Sequence, residues 1–310
     1  MKKKVFVFGG ARFHGYDLVC RLTKDKENEV YVLNRGNNII NYNPEINHIK
    51  IDRNDQENFE KVLKEIKPEA IYDNNAYNHF QIKNLIDIID RNKEIKNELK
   101  HYIFTSSIAV YKRLTDNHLV KEKESKNEIK SEIDPKIIDY ANNKLLAENY
   151  IIENFKEIPF TILRFPNIFG EGDFAKKLSF FEKKIKKDKV LYLEEEINNF
   201  SIIYYKDSSK IMEESILNNS CFNQIINCAD SLKYSYNKFF DPIFNDDYHN
   251  CRIKLRPAIS LFNTENSLPF AWGPALDTTL FKKVFTNFKF NSINYWGKKS
   301  LIGEKIINRK

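Results

Sequence analysis

The chain has 310 residues, of which 42% are hydrophobic and 14% aromatic, so its length and composition are those of a globular protein with a sizeable core. It carries 50 basic and 43 acidic side chains and a formal net charge of +7. The basic residues are interleaved with Glu and Asp, as in KEKESKNEIKSE at 121–132. This pattern favours a solvated surface, with an anionic ligand as a second contributor, over a nucleic-acid partner.

Neither the cysteines nor the histidines show the spacing of a metal site. The four cysteines lie far apart without a C-x-x-C pair, and the six histidines form no H-x-x-x-H or H-x-H pair, so we predict no metal and no disulfides. No apolar run approaches the roughly 20 residues of a membrane span. The first lysines precede only a short apolar run at 5–8, which predicts a first strand rather than a signal peptide, and a cytoplasmic protein.

Strand and helix patterns alternate along the first third of the chain. Strands are predicted at 5–8, 29–36, 46–55, 69–77 and 101–111, with helices at 16–22, 59–66 and 82–89. Because parallel strands need crossover helices, this succession predicts an α/β fold with a doubly wound parallel sheet, the Rossmann fold. Such a sheet binds ligands at the carboxyl ends of its strands, where the polar clusters of this chain fall.

The pattern loosens after residue 111. A polar stretch at 112–135 predicts an exposed excursion. The elements predicted after it are a helix at 140–155, a strand at 160–170, an amphipathic stretch at 174–187, a pair of strands at 190–193 and 201–205, and a further strand at 223–230. We predict two domains, a Rossmann dinucleotide-binding domain at 1–170 and a small C-terminal α/β substrate lobe at 171–310. The lobe is expected to be interleaved with the last sheet strands.

The turn after the first strand, FGGARFHG at 8–15, has glycines where a dinucleotide-binding turn needs them. Gly9 and Gly10 permit a tight turn, and Gly15 lets the helix pack closely on the strand while its N-terminus faces a phosphate. Arg12 replaces the middle glycine, and its guanidinium would attract a phosphate. Alone, the turn is equally typical of α/β proteins that bind no nucleotide.

The end of the second strand bears on the choice of cofactor. An acidic residue there suits the ribose 2′-hydroxyl of NAD, whereas a basic residue suits the 2′-phosphate of NADP. This chain has Asn34 and Arg35 and no acid, so NADP(H) is favoured and NAD(H) stays possible. The alternative is that Arg35 is an exposed loop residue.

A tyrosine and a lysine four residues apart, Tyr140 and Lys144, can share one helix face. A cation beside a phenol favours the phenolate and makes the tyrosine a usable acid or base. The same spacing recurs at 234–238 and 295–299, but only Tyr140 follows a strand ending in Ser106 and Ser107 and precedes RFPNIFG. The alternative for Tyr140 and Lys144 is an ordinary solvated helix face.

The motifs taken together carry a family resemblance. In order, they include FGGARFHG, VYVLNRGN, IDRND, IYDNNAY, YIFTSSIAVY, YANNK, LRFPNIFG, IIYYKDSSK and INCAD. The chain resembles the short-chain dehydrogenase/reductase superfamily, in its extended or atypical branch of NAD(P)-dependent epimerase/dehydratase proteins. The tail FAWGPALDTTLFKKVFTNFKF is similar to the closing segment of that family.

The resemblance implies roles for particular residues. Tyr140 would be the general acid/base, Lys144 its electrostatic partner and a ribose ligand, and Ser107 the serine that orients the substrate. Asn167 would reach the substrate. The resemblance places the following residues around the cofactor: Gly9, Gly10, Arg12, Phe13, Gly15, Asn34, Arg35, Asp52, Arg53, Asn74, Asn75, Ala76, Tyr140, Lys144 and Pro166.

The implied activity is hydride transfer at a hydroxyl or carbonyl carbon of a sugar-like or other small substrate, by an oxidoreductase or an isomerase of the kind found in nucleotide-sugar metabolism. Two departures from the family's pattern argue against dehydration and against a substrate that is a diphosphate-linked sugar. The Thr-Asp-Glu set of the dehydratases is absent at Ser107, and an arginine that grips a sugar diphosphate is missing before 201–205. The alternative is a catalytically weak member that senses nucleotides or binds RNA. Family members often pair as homodimers through helices like those at 80–92 and 140–155.

Overall fold

The computed structural model describes residues 2–36, 46–111, 118–124, 135–197, 199–257 and 272–307. The chain forms two compact units. The first unit comprises Met1–Ser107, Asn143–Arg164 and Ser208–Ile226, and the second comprises Ile108–Asn142, Phe165–Asp207 and Asn227–Lys310. The division at residue 170 into a cofactor domain and a substrate lobe stays a prediction.

The strands and helices alternate through most of the chain. The strands are β1 (Lys3–Phe8), β2 (Asn28–Asn34), β3 (Asn47–Lys50), β4 (Ala70–Asp73), β5 (His101–Ser107), β6 (Phe160–Phe165), β7 (Asn167–Phe169), β8 (Val190–Glu194), β9 (Ile202–Tyr204), β10 (Gln224–Asn227) and β11 (Arg252–Arg256). The helices are α1 (Phe13–Leu22), α2 (Gln56–Ile66), α3 (His79–Arg91), α4 (Lys93–Glu98), α5 (Pro135–Asn154), α6 (Lys177–Glu182), α7 (Tyr205–Ser215), α8 (Tyr236–Phe244), α9 (Asp246–His249), α10 (Thr279–Val284) and α11 (Ile293–Ile307).

A seven-stranded parallel sheet in the order β10-β6-β5-β4-β1-β2-β3 forms the centre of the first unit. Its central strands β1, β4, β5 and β6 are nearly continuous buried runs, as a parallel sheet covered on both faces requires. In β1, Val5 to Phe8 are at most 2% exposed. Phe8 pairs with Leu33 on one side and with Asp73 on the other, so β1, β2 and β4 end together. The strand order reverses beside β1, and such sheets bind ligands at the point of reversal. The prediction of a Rossmann fold is confirmed.

The second unit contains two small parallel sheets, β7 with β9 and β8 with β11. The segments at 190–193 and 201–205 are therefore strands, as predicted, but each pairs elsewhere. The single strand predicted at 160–170 is divided at Pro166, because proline has no N–H to continue a ladder. Trp272 and Trp296 are both buried in the aromatic core of this unit. Most of the predicted excursion at 112–135 lies outside the described residues.

His101 lies fully buried in β5 and is held as a neutral imidazole. The Leu217 N–H donates to its Nδ1 at 3.1 Å, so the proton is on Nε2, which lies 2.8 Å from the Thr161 hydroxyl oxygen. That hydroxyl in turn donates to the Cys221 carbonyl. Burial lowers the pKa of His101 from 6.5 to about 4.

This lowered pKa predicts a loss of stability in mild acid. The unfolded chain takes up a proton near pH 6.5 and the folded chain only near pH 4, so the stabilising contribution is complete above pH 6.5 and disappears as the pH falls toward 4. The pKa difference corresponds to about 3 kcal/mol. Urea denaturation between pH 7 and pH 4 should show a shallower decline for His101→Gln than for the natural chain. The exposed His118→Gln variant should keep the natural slope, and an equal slope in all three proteins would contradict the prediction.

Candidate active site

The turn between β1 and α1 is built from main chain brought close together. Gly9 has a φ of +74°, which favours glycine. A Cβ on Gly15 would lie 2.2 Å from the Gly9 carbonyl oxygen, and one on Gly10 would lie 2.7 Å from Val19 Cγ2. Strand and helix can therefore approach this closely only because these positions have no side chain. The turn leaves the N-terminus of α1 at the carboxyl edge of the sheet, as phosphate binding requires.

Arg12 is the residue that precedes the first turn of α1. Its backbone is extended, with φ −146° and ψ 152°, and its carbonyl accepts from the Tyr16 N–H at 3.2 Å. Arg12 is exposed, whereas Phe13 is half-buried with a φ of +51°. His14 lies with its Nδ1 3.4 Å from the Ser208 hydroxyl oxygen. An arginine at position 12 is thus compatible with the turn and leaves its conformation intact.

The carboxyl end of β2 is closed by the side chain of Asn34. Its Oδ1 accepts from the Gly36 N–H at 2.8 Å and lies 3.0 Å from His48 Nε2. Its Nδ2 is buried and has no hydrogen-bond partner in the described part of the chain. Arg35, the next residue, is exposed. The end of β2 therefore presents one unused buried donor and one accessible cation.

Arg53, three residues after β3, is buried against the end of β4. Its two terminal nitrogens donate to the two carboxylate oxygens of Asp73 at 2.7 and 2.6 Å, and its guanidinium lies 4.7 Å from the centre of the Phe8 ring. Its Nε is buried and unbonded among the described residues. The neighbouring Asp52 is exposed. Arg53 is thus mainly part of a structural ion pair, and its Nε could still donate to a ligand.

The segment after β4 carries the three residues Asn74, Asn75 and Ala76. Asn74 Oδ1 accepts from the Thr105 hydroxyl at 2.6 Å, while its buried Nδ2 has no partner within the described residues. The exposed Asn75 accepts from Arg53 at 3.1 Å, and the Ala76 N–H donates to Asp73 at 2.9 Å. These bonds fix the segment at the same sheet edge as the Gly9 turn, since the main-chain N–H of Asn74 donates to the Phe8 carbonyl at 3.2 Å.

Lys144 is a buried cation on α5. Its Nζ donates to the Ala76 carbonyl at 2.9 Å and to the Thr105 carbonyl at 2.8 Å, and it lies 4.5 Å from the centre of the Phe104 ring. Burial lowers the pKa of Lys144 to about 8, against the opposing attraction of Asp73 and Glu148. An ordinary solvated helix face, the alternative for this residue, is excluded by its burial.

Ser107 ends β5 and is half-buried. Its neighbour Ser106 is buried and donates to Glu148, which is paired with Arg164. Sequence reasoning missed Glu148 and Arg164, although two signals were present. Glu148 stands one helical turn after Lys144, and Arg164 is the only charge in the apolar strand FTILRF. A charged side chain in a fully buried strand predicts an oppositely charged partner, because an unpaired buried charge is energetically costly.

The remaining predicted residues belong to the second unit. Tyr140 is half-buried on α5, four residues before Lys144 in the sequence. Pro166 is buried between β6 and β7, and Asn167 begins β7, where it pairs with Ile202. In the first unit, the structure brings the Gly9 turn together with Asn74 and links Asn75 to Arg53, and it joins Ala76 to Lys144.

Comparison with protein families gives a match over residues 5–228 to the model described as the NAD dependent epimerase/dehydratase family. The chain belongs to this family. The predicted membership of the epimerase/dehydratase family is thereby confirmed. The family consists of NAD-dependent enzymes that act on small molecules. A comparison with curated protein sequences gives no significant match. No helix in the described ranges has the length and apolar character needed to cross a membrane.

Several solved structures share the fold of this chain over nearly all of its length. Pal from Bacillus thuringiensis is 18% identical with a TM-score of 0.71, covering 99% of this chain and 100% of its own. The Bordetella bronchiseptica enzyme WbmH, solved in complex with NAD+, is 12% identical with a TM-score of 0.73, covering 98% and 99%. The UDP-Glc/GlcNAc 4-epimerase from Campylobacter jejuni is 15% identical with a TM-score of 0.71, covering 98% and 99%. At these identities the likeness establishes the fold.

The family's cofactor fits the residues found at this edge of the sheet. Three buried donor nitrogens, Asn34 Nδ2, Arg53 Nε and Asn74 Nδ2, have no partner among the described residues. They lie at or just beyond the ends of β2, β3 and β4. A buried donor without a partner costs about 1–3 kcal/mol. A ligand rich in acceptors, such as the ribose and phosphates of a dinucleotide, would remove that cost.

Proposed function

We propose that this protein is an NAD(P)-dependent reductase or epimerase that transfers hydride at a hydroxyl or carbonyl carbon of a sugar-like or other small substrate. The observation that carries the proposal is the set of three unpartnered buried donors beside the glycine turn. The turn and the N-terminus of α1 would hold the pyrophosphate. Asn34, Arg53 and Asn74 would bond the adenosine half, with Asp52, Asn75 and Pro166 bordering the cofactor.

The chemistry assigned to the chain's own residues is proton transfer. A bound nicotinamide supplies the hydride acceptor or donor. In the oxidation direction, Tyr140 takes the hydroxyl proton as the carbon–hydrogen bond breaks, while Ser107 holds the oxygen and Asn167 contacts the substrate. Lys144 would favour the phenolate of Tyr140 by its charge and bond the ribose. With a pKa of about 8, Lys144 is still mostly protonated at neutral pH. A returning hydride gives epimerisation, and an exchanged cofactor gives reduction.

We favour NADP(H) over NAD(H) for this site. Asn34 offers no carboxylate to a 2′-hydroxyl, and the exposed Arg35 follows it directly. Arg35, with Arg12 as a second cation, would bind the 2′-phosphate. A charge-assisted hydrogen bond contributes about 1.5–3 kcal/mol, which is on the order of ten- to a hundredfold in affinity.

A fluorescence titration with NADPH and NADH tests this proposal. We expect tight NADPH binding that weakens at least about tenfold in Arg35→Ala, with little change for NADH. The exposed Arg252→Ala variant removes the same charge from the second unit and should bind like the natural chain. The NADP(H) preference would be contradicted if the natural chain bound NADPH and NADH equally tightly and Arg35→Ala changed neither affinity. Binding of neither cofactor, in protein free of copurified nucleotide, would contradict the enzyme.

The second candidate is a catalytically weak member that senses nucleotides or binds RNA. The net charge of +7 is compatible with it, because phosphate neutralisation supplies most nucleic-acid affinity. Retention of RNA that weakens steeply with salt would support this candidate. Substrate-dependent oxidation of NADPH would argue against it.

We also propose that the protein is a cytoplasmic homodimer. Phe80 on α3 is 62% exposed and Leu146 on α5 is 46% exposed, and apolar side chains of this size are typical of interface cores. Sedimentation velocity should give a dimer, and Phe80→Ser with Leu146→Ser should shift it to the monomer. A monomeric natural chain at micromolar concentration would refute the pairing.

A further inference from the structure

One buried carboxylate, that of Glu148, joins three elements of the first unit. Its Oε1 accepts from Arg164 Nε at 3.0 Å and from the Ser106 hydroxyl, and its Oε2 accepts from Arg164 Nη2 at 2.5 Å. All three side chains are at most 3% exposed. Since Ser106 lies on β5, Glu148 on α5 and Arg164 on β6, the carboxylate ties two neighbouring strands to the helix that carries Lys144.

Each of the three anchored residues stands beside a residue of the candidate site in the sequence. Ser106 directly precedes Ser107, Glu148 follows Lys144 by one helical turn, and Arg164 comes two residues before Pro166. Lys144 itself holds the Thr105 carbonyl at 2.8 Å. Two consecutive residues of β5 are therefore bonded to two consecutive turns of α5. A strand end held at both points cannot slide or twist against the helix.

We propose that Glu148 and Arg164 are positioning residues of the catalytic site, which hold the end of β5 in register with α5 so that Ser107 and Lys144 keep fixed places. This inference rests on the proposed function, which gives Ser107 and Lys144 their roles. Neither Glu148 nor Arg164 touches substrate in this scheme. Catalytic groups must be held to within a fraction of an ångström, and buried partners of this kind supply that support.

The pair also sets the charge around Lys144. Burial lowers the pKa of this ammonium to about 8, Asp73 and Glu148 raise it, and Arg53 lowers it. Replacing Glu148 with Gln keeps the size of the side chain but removes one attractive charge from the surroundings of Lys144 and takes the carboxylate away from the Arg164 cation. The pKa of Lys144 therefore responds to the charges of Glu148 and Arg164, whereas a variant that only loosens packing leaves these charges in place.

The experiment is an NMR titration of the lysine Nζ resonances, which needs no substrate. The Lys144 resonance is identified as the one absent in Lys144→Met. We expect Glu148→Gln to weaken proton binding at Lys144 on the order of tenfold, and the double variant Glu148→Gln with Arg164→Met to restore most of it. Ile151→Val, a core change on the same helix, should leave the titration unchanged. A Glu148→Gln titration equal to that of Ile151→Val would overturn the inference.

A second measurement decides the matter if Glu148→Gln does not fold. Ser106→Ala removes only the hydroxyl, and it should speed amide exchange at 105–107 at least about tenfold relative to Ser209→Ala. Ser209 is the matched control, because its hydroxyl also donates to a carboxylate, that of Asp17. Unchanged exchange would overturn the inference. An NADPH titration of the same samples separates the test of the proposed function from the test of the positioning role. Failure to bind NADPH contradicts the proposed function, while the Lys144 titration can still be interpreted.

Discussion

Replacing Arg53 with Met should lower the free energy of unfolding by about 3–5 kcal/mol, the cost of leaving a buried charge without its partner. Arg53 and Asp73 are 8% and 0% exposed and are joined by two hydrogen bonds. Burial alone would raise the pKa of Asp73, but the Arg53 guanidinium holds it below its ordinary value. Without Arg53, Asp73 must either stay charged in a buried site without its cation or take up a proton. Urea denaturation measures the loss.

Two further variants show whether the effect belongs to the buried pair. Asp73→Asn combined with Arg53→Met removes both charges and should recover a large part of the lost stability. Arg91→Met breaks the exposed pair with Glu60 and should cost less than about 1 kcal/mol. If the double variant is as unstable as Arg53→Met alone, the cost lies in packing against Phe8 rather than in the unpaired carboxylate.

Gly15→Ala should weaken NAD(P)H binding by about a hundredfold or more. The added methyl group prevents the close approach of α1 to the end of β1 at this turn. The new Cβ would stand 2.2 Å from the Gly9 carbonyl oxygen, so the main chain must separate where the pyrophosphate is proposed to bind. The measurement is the same fluorescence titration, with the melting temperature followed in parallel.

The matched control for Gly15→Ala is Gly297→Ala, also a glycine within a helix. There the new Cβ would meet Ile243 Cγ1 at 2.8 Å, and that side chain can rotate away. Gly297→Ala should bind cofactor with nearly natural affinity. A Gly15→Ala protein that is folded and binds as tightly as the natural chain would show that the pyrophosphate lies elsewhere.

Much of the fold could be predicted from the sequence because its signals are local. Periodicity and glycine position predicted the alternation of strands and helices and the turn at Gly9. The division of the predicted strand at Pro166 also has a local cause, the missing N–H, and could have been predicted. The pairing of the strands at 190–193 and 201–205 depends on partners far away in the chain, and no local pattern specifies it.

The candidate site divides in the same way. The resemblance places Arg53 beside the cofactor, and the structure shows that two of its five N–H groups donate to Asp73, twenty residues away, and a third to Asn75. Glu148 and Arg164 were missed because a buried ion pair is a property of two positions and of the space between them. The burial of Lys144 likewise depends on the carbonyls of Ala76 and Thr105, which only the folded chain brings to it.

The turn at Gly9 and Gly15 has a consequence for how such a site can diverge. Its tightest point is the approach of Gly15 to the Gly9 carbonyl oxygen, a main-chain atom that every residue type provides, and its main demand on the sequence is that side chains be absent at Gly9, Gly10 and Gly15. Arg12 and Arg35, in contrast, are exposed side chains that can be exchanged without moving the turn. Affinity for the shared part of a dinucleotide and preference between its phosphorylated and unphosphorylated forms can therefore evolve independently.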